Sequence, residues 1–158
     1  MNAVRIHDHG DEKVLIYEEV PLPDINDNQV LVEIKAAAIN HLDIWVRKGI
    51  PGISLPMIIG SDGAGIVVKV GKNVNKFSIG DEVIINPLLF CGNCPSCLNN
   101  QENQCSSIGI LGETTNGTNC EFIALNQRNL INKPKKMSFE CAASFPLAGQ
   151  TAYQMLIN

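Results

Sequence analysis

Short apolar runs separated by turn residues dominate most of the chain. Residues 14–17 (VLIY), 30–34 (VLVEI), 65–70 (GIVVKV) and 82–85 (EVII) are brief and rich in β-branched side chains, as strands are. Residues 121–125 (EFIAL) form a fifth candidate. Turn punctuation separates these runs at Pro21-Leu22-Pro23-Asp24, Gly71-Lys72-Asn73 and Gly80-Asp81. Most gaps are too short for the crossover helix that a parallel sheet requires. The pattern therefore predicts a mainly β fold, a barrel or sandwich. The last twenty residues change character. Ser138 suits a helix N-cap with Glu140 in the first turn, predicting a short helix over 140–144 that Pro146 ends. A second helix is expected from about Gln150 onward, through Ala152, Tyr153, Met155 and Leu156. It finishes without a C-cap signal, as a chain cut at a domain boundary would.

Composition narrows the class. For 158 residues, area scaling buries about 69% of the unfolded surface, enough for one cored domain without disulfides. Hydrophobic residues make up 45% and charged residues 18%, which excludes a disordered tail or a collagen-like repeat. Twelve basic against sixteen acidic side chains give a net charge of −4, against the basic field of a nucleic-acid binder. The one dense basic cluster, Lys133-Pro134-Lys135-Lys136, reads as a solvated turn. Residues 1–9 carry charge where a signal peptide needs an apolar core, and no apolar stretch approaches the ~20 residues of a membrane span. A cytoplasmic location with reduced thiols and no membrane contact is the expectation.

Six cysteines then matter. Cys91, Cys94, Cys97 and Cys105 follow the spacing C-x2-C-x2-C-x7-C, with Gly92 and Pro95 supplying tight turns. Four thiolates suit a closed, tetrahedral, structural zinc site, one ion per chain. An iron–sulfur cluster is a competing reading, although a ferredoxin's fourth cysteine follows after three residues and precedes proline. A redox dithiol at Cys94 and Cys97 is another, against the missing βαβ context. Cys120 and Cys141 read as small core residues.

Gly60-Ser61-Asp62-Gly63-Ala64-Gly65 is glycine-rich but lacks the G-x-G-x-x-G order, and it runs into a strand where a phosphate cradle opens a helix. It reads as a bend where backbones approach closely. No nucleotide-binding (Rossmann) domain is predicted within this chain.

These segments together resemble the medium-chain dehydrogenases and reductases, which include zinc-containing alcohol dehydrogenases and quinone oxidoreductases. The landmarks are Asn40-His41-Leu42-Asp43, the glycine bend, Gly80-Asp81-Glu82-Val83, the cysteine lobe, and Pro146 to Tyr153. The resemblance implies a GroES-like, partly open β-barrel with short helices over residues 1–146, carrying a zinc lobe at about 88–112. Residues 147–158 would begin the helix leading to a nucleotide-binding domain outside this chain. The family's chain returns afterwards to complete the barrel, so open edges or self-association are expected here.

The four cysteines match the family's structural zinc lobe. The catalytic zinc ligands of relatives fall at Asn40, Ser61 (beside Asp62) and Leu147, and the proton relay at Leu42 and Trp45. An amide, a hydroxyl and an isobutyl group cannot replace two thiolates and an imidazole. The resemblance then implies a zinc-independent quinone or enone reductase using NAD(P)H on a small carbonyl substrate. Asn40, Asp62 and Trp45 are the candidate catalytic residues, and His41 and Thr151 the candidate cofactor contacts. Asn40 could equally satisfy a turn, Trp45 fill the core, and Asp62 serve as a structural acceptor. A non-catalytic, zinc-stabilised interaction module is the alternative, and this chain alone is expected to be inactive.

Overall fold

The computed structural model describes residues 1–157. In chain order it contains β1 (Asn2–Ile6), β2 (Ile16–Glu19), β3 (Gln29–Ala38), α1 (His41–Lys48), β4 (Met57–Ile58) and β5 (Asp62–Val70). There follow β6 (Glu82–Ile85), β7 (Leu88–Leu89), α2 (Pro95–Leu98), β8 (Gly109–Ile110), β9 (Phe122–Asn126), β10 (Leu130–Asn132), α3 (Phe139–Ala143) and α4 (Pro146–Ile157). The main sheet is five-stranded in the order β10-β6-β5-β3-β9, a three-stranded sheet runs β2-β1-β4, and β7 pairs with β8. Strand pairs are antiparallel throughout the described residues, and no parallel nucleotide-binding sheet is among them. The mainly β, open architecture expected from the sequence is present.

Alternation builds the core. Val30 and Val32 on β3, Val67 on β5, Val83 and Ile85 on β6, and Ile123 and Leu125 on β9 point to one side and pack together. A second cluster sits under α1, where Val46 meets Ile6, Met57 and Ile59. In a third, Ala142 and Ala143 of α3 press on Ala64 of β5. Small residues there let the helix come close to the sheet.

The strand read at 82–85 is present with those bounds, and the run at 30–34 extends to Gln29–Ala38. The run at 14–17 slides to Ile16–Glu19. Val14 is instead held in a 3-10 turn, Glu12–Val14, whose cap Asp11 accepts from the Lys13 N–H. Helix α1 was not expected, because His, Trp and Val are indifferent helix formers; the Asn40–Asp43 capping box and packing on the Ile6 cluster select it. Ser138 caps α3 as predicted, accepting from the Cys141 N–H. Pro146, however, opens α4 rather than ending a helix. The first turn has no use for the N–H that proline lacks.

Two further expectations are corrected. Lys133 is not solvated: its side chain is 4% exposed, and its ammonium lies 2.8 Å from a Glu82 carboxylate oxygen and donates to the Met137 carbonyl at 2.6 Å. That contact ties the entry to α3 onto β6. Cys141 is exposed on α3 rather than in the core, whereas Cys120 is partly buried and packs against two core clusters, and burial pushes its thiol up to about 12.

The glycine bend behaves as read. Gly60 has φ +103°, and a Cβ on Gly117 would stand 1.9 Å from the Gly60 carbonyl oxygen. Gly117→Ala is expected to lower stability by about 1–3 kcal/mol through overpacking, measured by urea unfolding with an unchanged slope.

Candidate metal centre and substrate cleft

The four spaced cysteines converge. Gly92, at φ +75°, turns the chain after Cys91. Pro95 opens α2 with Cys94 at its N-cap, which places Cys94 and Cys97 on one turn, and a 3-10 turn at Glu102–Gln104 delivers Cys105. All four sulfurs lie within 4.8 Å of one another. Cys94 to Cys97 is 3.4 Å, Cys91 to Cys105 is 3.6 Å, and Cys91 to Cys97 and Cys94 to Cys105 are 3.9 Å. Metal–sulfur bonds of about 2.3 Å at tetrahedral angles put sulfurs about 3.8 Å apart, so the donor set fits such an ion. It does not fit a disulfide, which needs sulfurs about 2.05 Å apart.

The electrostatics favour thiolates at two of the four positions. Backbone N–H groups of Asn93 and Cys94 hold Cys91 below the usual thiol range, and those of Cys97 and Ser106 hold Cys94 at about 6. Burial pushes Cys97 up to about 12, so a cation is what would stabilise its charged form. Arg128, unremarked in the sequence, clamps the lobe. Its Nη1 donates to the Cys91 carbonyl at 2.6 Å, and its guanidinium lies 5.8 Å from the Phe90 ring centroid. A side chain at Gly92 would collide with it.

The second constellation is built on two buried carboxylates. Asp43 accepts from the Asn40 N–H at 2.6 Å and from the Gly60 N–H at 3.1 Å. Asp62 accepts from Asn40 Nδ2 and from the Leu147 N–H, both at 2.9 Å. Ser61 is fully buried and donates to the Leu111 carbonyl at 2.9 Å. Asp62 thus gathers Asn40 and Leu147, far apart in sequence, at the starts of α1 and α4. Burial raises the pKa of both aspartates, outweighing the hydrogen bonds that lower it.

His41 and Trp45 stand one turn apart on α1 in an edge-to-face contact at 4.9 Å, and Trp45 is 55% exposed rather than part of the core. Thr151 sits on α4 and donates to the Leu147 carbonyl at 2.8 Å. A cleft of about 1320 Å³ runs between the lobe and α4. Leu147 and Thr151 line it together with Asn86, Leu88, Ile110 and Gln150, whereas Asn40, Asp62, His41 and Trp45 do not. Sequence reasoning missed Asn86 and Gln150, since lone amides carry no motif.

The purified chain is expected to carry one zinc ion by metal analysis, and Cys105→Ser to lose it together with the order of the lobe in amide exchange. Asp43 and Asp62 are expected to titrate above 3.8 by NMR. Because each folded-state pKa lies above the unfolded one, the native state binds more protons. Their contribution to stability therefore falls as pH rises from the unfolded through the folded pKa. Asp62→Asn should flatten its part of that dependence in urea titrations across this window.

Residues 26–135 match the alcohol dehydrogenase GroES-like domain. An alcohol dehydrogenase of Schizosaccharomyces pombe is 35% identical over 158 aligned residues, covering 98% of this chain and 45% of that enzyme. The crystal structure of an NAD-dependent alcohol dehydrogenase superposes with a TM-score of 0.96 at 46% identity, covering 99% of this chain and 46% of that one. The quinone oxidoreductase of Coxiella burnetii is 30% identical with a TM-score of 0.79, covering 99% and 44%. The chain thus spans about half the length of the relatives it matches. Matched along most of its length in sequence and backbone, this chain belongs to the alcohol dehydrogenase GroES-like domain family of the medium-chain dehydrogenases and reductases.

Proposed function

We propose that this chain is the catalytic-domain half of an NAD(P)-dependent oxidoreductase that keeps a structural zinc in the cysteine lobe and works without a catalytic zinc, reducing a small quinone or enone. Residues 1–146 form the substrate domain, and residues 147–158, of which Asn158 lies outside the described residues, begin the run leading toward the nucleotide-binding part. The observation that carries this reading is the state of positions 40, 61 and 147. The Asn40 amide is turned onto Asp62, the Ser61 hydroxyl is spent on a backbone carbonyl, and Leu147 offers only its main chain. None of these presents the soft or imidazole donor that a catalytic zinc takes.

Reduced nicotinamide, when bound, supplies the hydride. The described residues contain no glycine-rich strand-to-helix cradle for its pyrophosphate, so His41 and Thr151 are proposed as single contacts completed by the nucleotide-binding part. Asn40 keeps one amide hydrogen free of Asp62 for a substrate oxygen, and Asp62 holds that amide in place. Trp45 offers an exposed aromatic face next to His41 on the same helix. No helix among the described residues is long and apolar enough to cross a membrane, and a cytoplasmic enzyme is proposed.

The apolar side chains of α4 favour a second reading, a zinc-stabilised interaction module. Tyr153, Met155, Leu156 and Ile157 are 62% to 82% exposed, a surface suited to another protein or a second copy. A clean monomer by light scattering at high concentration counts against that module.

The test is a chimera joining this chain to the remainder of the Schizosaccharomyces pombe enzyme. It is expected to oxidise NAD(P)H with a quinone or an enone, to leave ethanol untouched, and to hold one zinc in the grafted domain. Alcohol oxidation accompanied by a second zinc in that domain overturns the proposal.

A further inference from the structure

We propose that Asn86 is the side chain that hydrogen-bonds and orients a neutral carbonyl substrate in the cleft between the lobe and α4. This goes beyond the functional reading above, whose Asn40, Asp62 and Trp45 lie outside the cleft, and rests on the cleft lined by Leu147 and Thr151 taking the substrate. Asn86 stands at the turn from β6 to β7 and lines the cleft with Leu147 and Thr151. Its main chain is committed to Asn129: the Asn86 N–H donates to the Asn129 carbonyl at 2.8 Å, and its carbonyl accepts from Asn129 Nδ2 at 3.2 Å.

The orientation of its side chain is set by chemistry. The Leu88 N–H, which can only donate, lies 3.0 Å from Oδ1, and Gln150 Nε2 donates to the same oxygen at 3.1 Å. The oxygen end is therefore fixed and doubly occupied, and the –NH2 end is the free one. Among the described residues nothing accepts from Nδ2. Gln150 lies three residues beyond Leu147 on α4, so one helix turn holds both the Asp62-bound backbone and the support for Asn86.

A half-buried amide with a saturated oxygen and an unspent donor selects a ligand that brings an acceptor. The rest of the lining is mostly neutral near this point. Asn99, Asn100, Gln101, Gln104 and Gln150 are amides, and the one acidic lining residue, Glu102, disfavours a carboxylate, so the lining suits an uncharged ketone, quinone or enone better. Arg128 also lines the cleft, but its Nη1 and Nε are held by the Cys91 carbonyl and the Asn126 side chain. Asn40 remains the donor over Asp62, outside this lining.

The test is ¹⁵N NMR of the 158-residue chain titrated with cyclohexanone as a neutral carbonyl probe. The Asn86 side-chain –NH2 signals are expected to shift together with the backbone signals of Leu147 and Thr151. Asn86→Asp keeps an oxygen for Leu88 and Gln150 but removes the donor, and is expected to weaken binding about tenfold, equivalent to about 1.4 kcal/mol. Asn86→Ala removes the donor without adding charge and should weaken it similarly. Shifts at Leu147 and Thr151 with the Asn86 side chain unmoved, or undiminished binding by both variants, overturn the assignment and leave the cleft as the substrate site. No shift anywhere in the cleft overturns the reading of the cleft, and this inference with it. The wild-type titration decides between these outcomes even if a variant fails to fold.

Discussion

Asp62 is 1% exposed and pairs with no cation among the described residues, yet three elements begin on its carboxylate or next to it. It opens β5, receives the Asn40 side chain from the start of α1, and receives the Leu147 N–H from the first turn of α4. A buried charge is costly unless donors surround it, and hydrogen bonds to charged groups contribute about 1.5–3 kcal/mol each. The arrangement is therefore cooperative: remove one donor and the charge is left short of solvation. Asp43, 3% exposed, repeats the device one step away, tying the N-terminus of α1 to Gly60. Together the two carboxylates set where both helices enter, and with them the side of the cleft that α4 supplies.

The lobe depends on a different constraint. Between β7 and β8 it contributes little apolar surface to the core; only Cys97 and Cys105 are buried among the cysteines. A segment with so little to bury needs another source of order, and four convergent thiols provide the place for an ion. Arg128, brought from the segment after β9, joins the lobe to the barrel through the Cys91 carbonyl. Gly92 is what lets the guanidinium approach. That clamp lies on the wall of the cleft, which Arg128 also lines.

Legibility differed by element for physical reasons. The β6 run and the Ser138 cap were readable because their signals are local: three β-branched residues in a short run, and a hydroxyl opposite free N–H groups. The two-residue strands β4, β7 and β8 were not, since nothing in two residues distinguishes a strand from a turn until a neighbour pairs with it. Lys133 looked like part of a solvated basic run, yet a long stem let it bury with its ammonium over the Phe139 ring, where it meets Glu82 and Met137. Trp45, a natural candidate for a core, ended on the outer side of α1 because Val46 and Leu42 occupy the inner one.

From the amino-acid order alone came the β-rich class, the metal-binding spacing of Cys91, Cys94, Cys97 and Cys105, the close-packed role of Gly60, and the resemblance to the medium-chain dehydrogenases and reductases. Each rests on residues near one another in the chain, where spacing and side-chain type already encode geometry. Tertiary structure alone decided that Asn40 and Leu147 share Asp62, that Arg128 secures the lobe, and that Asn86 reaches the cleft with its oxygen end engaged and, among the described residues, no acceptor at its –NH2 end. Those contacts join residues as many as 85 positions apart, and a polar side chain at such a distance finds its partner only when the folded barrel excludes water from the space between them.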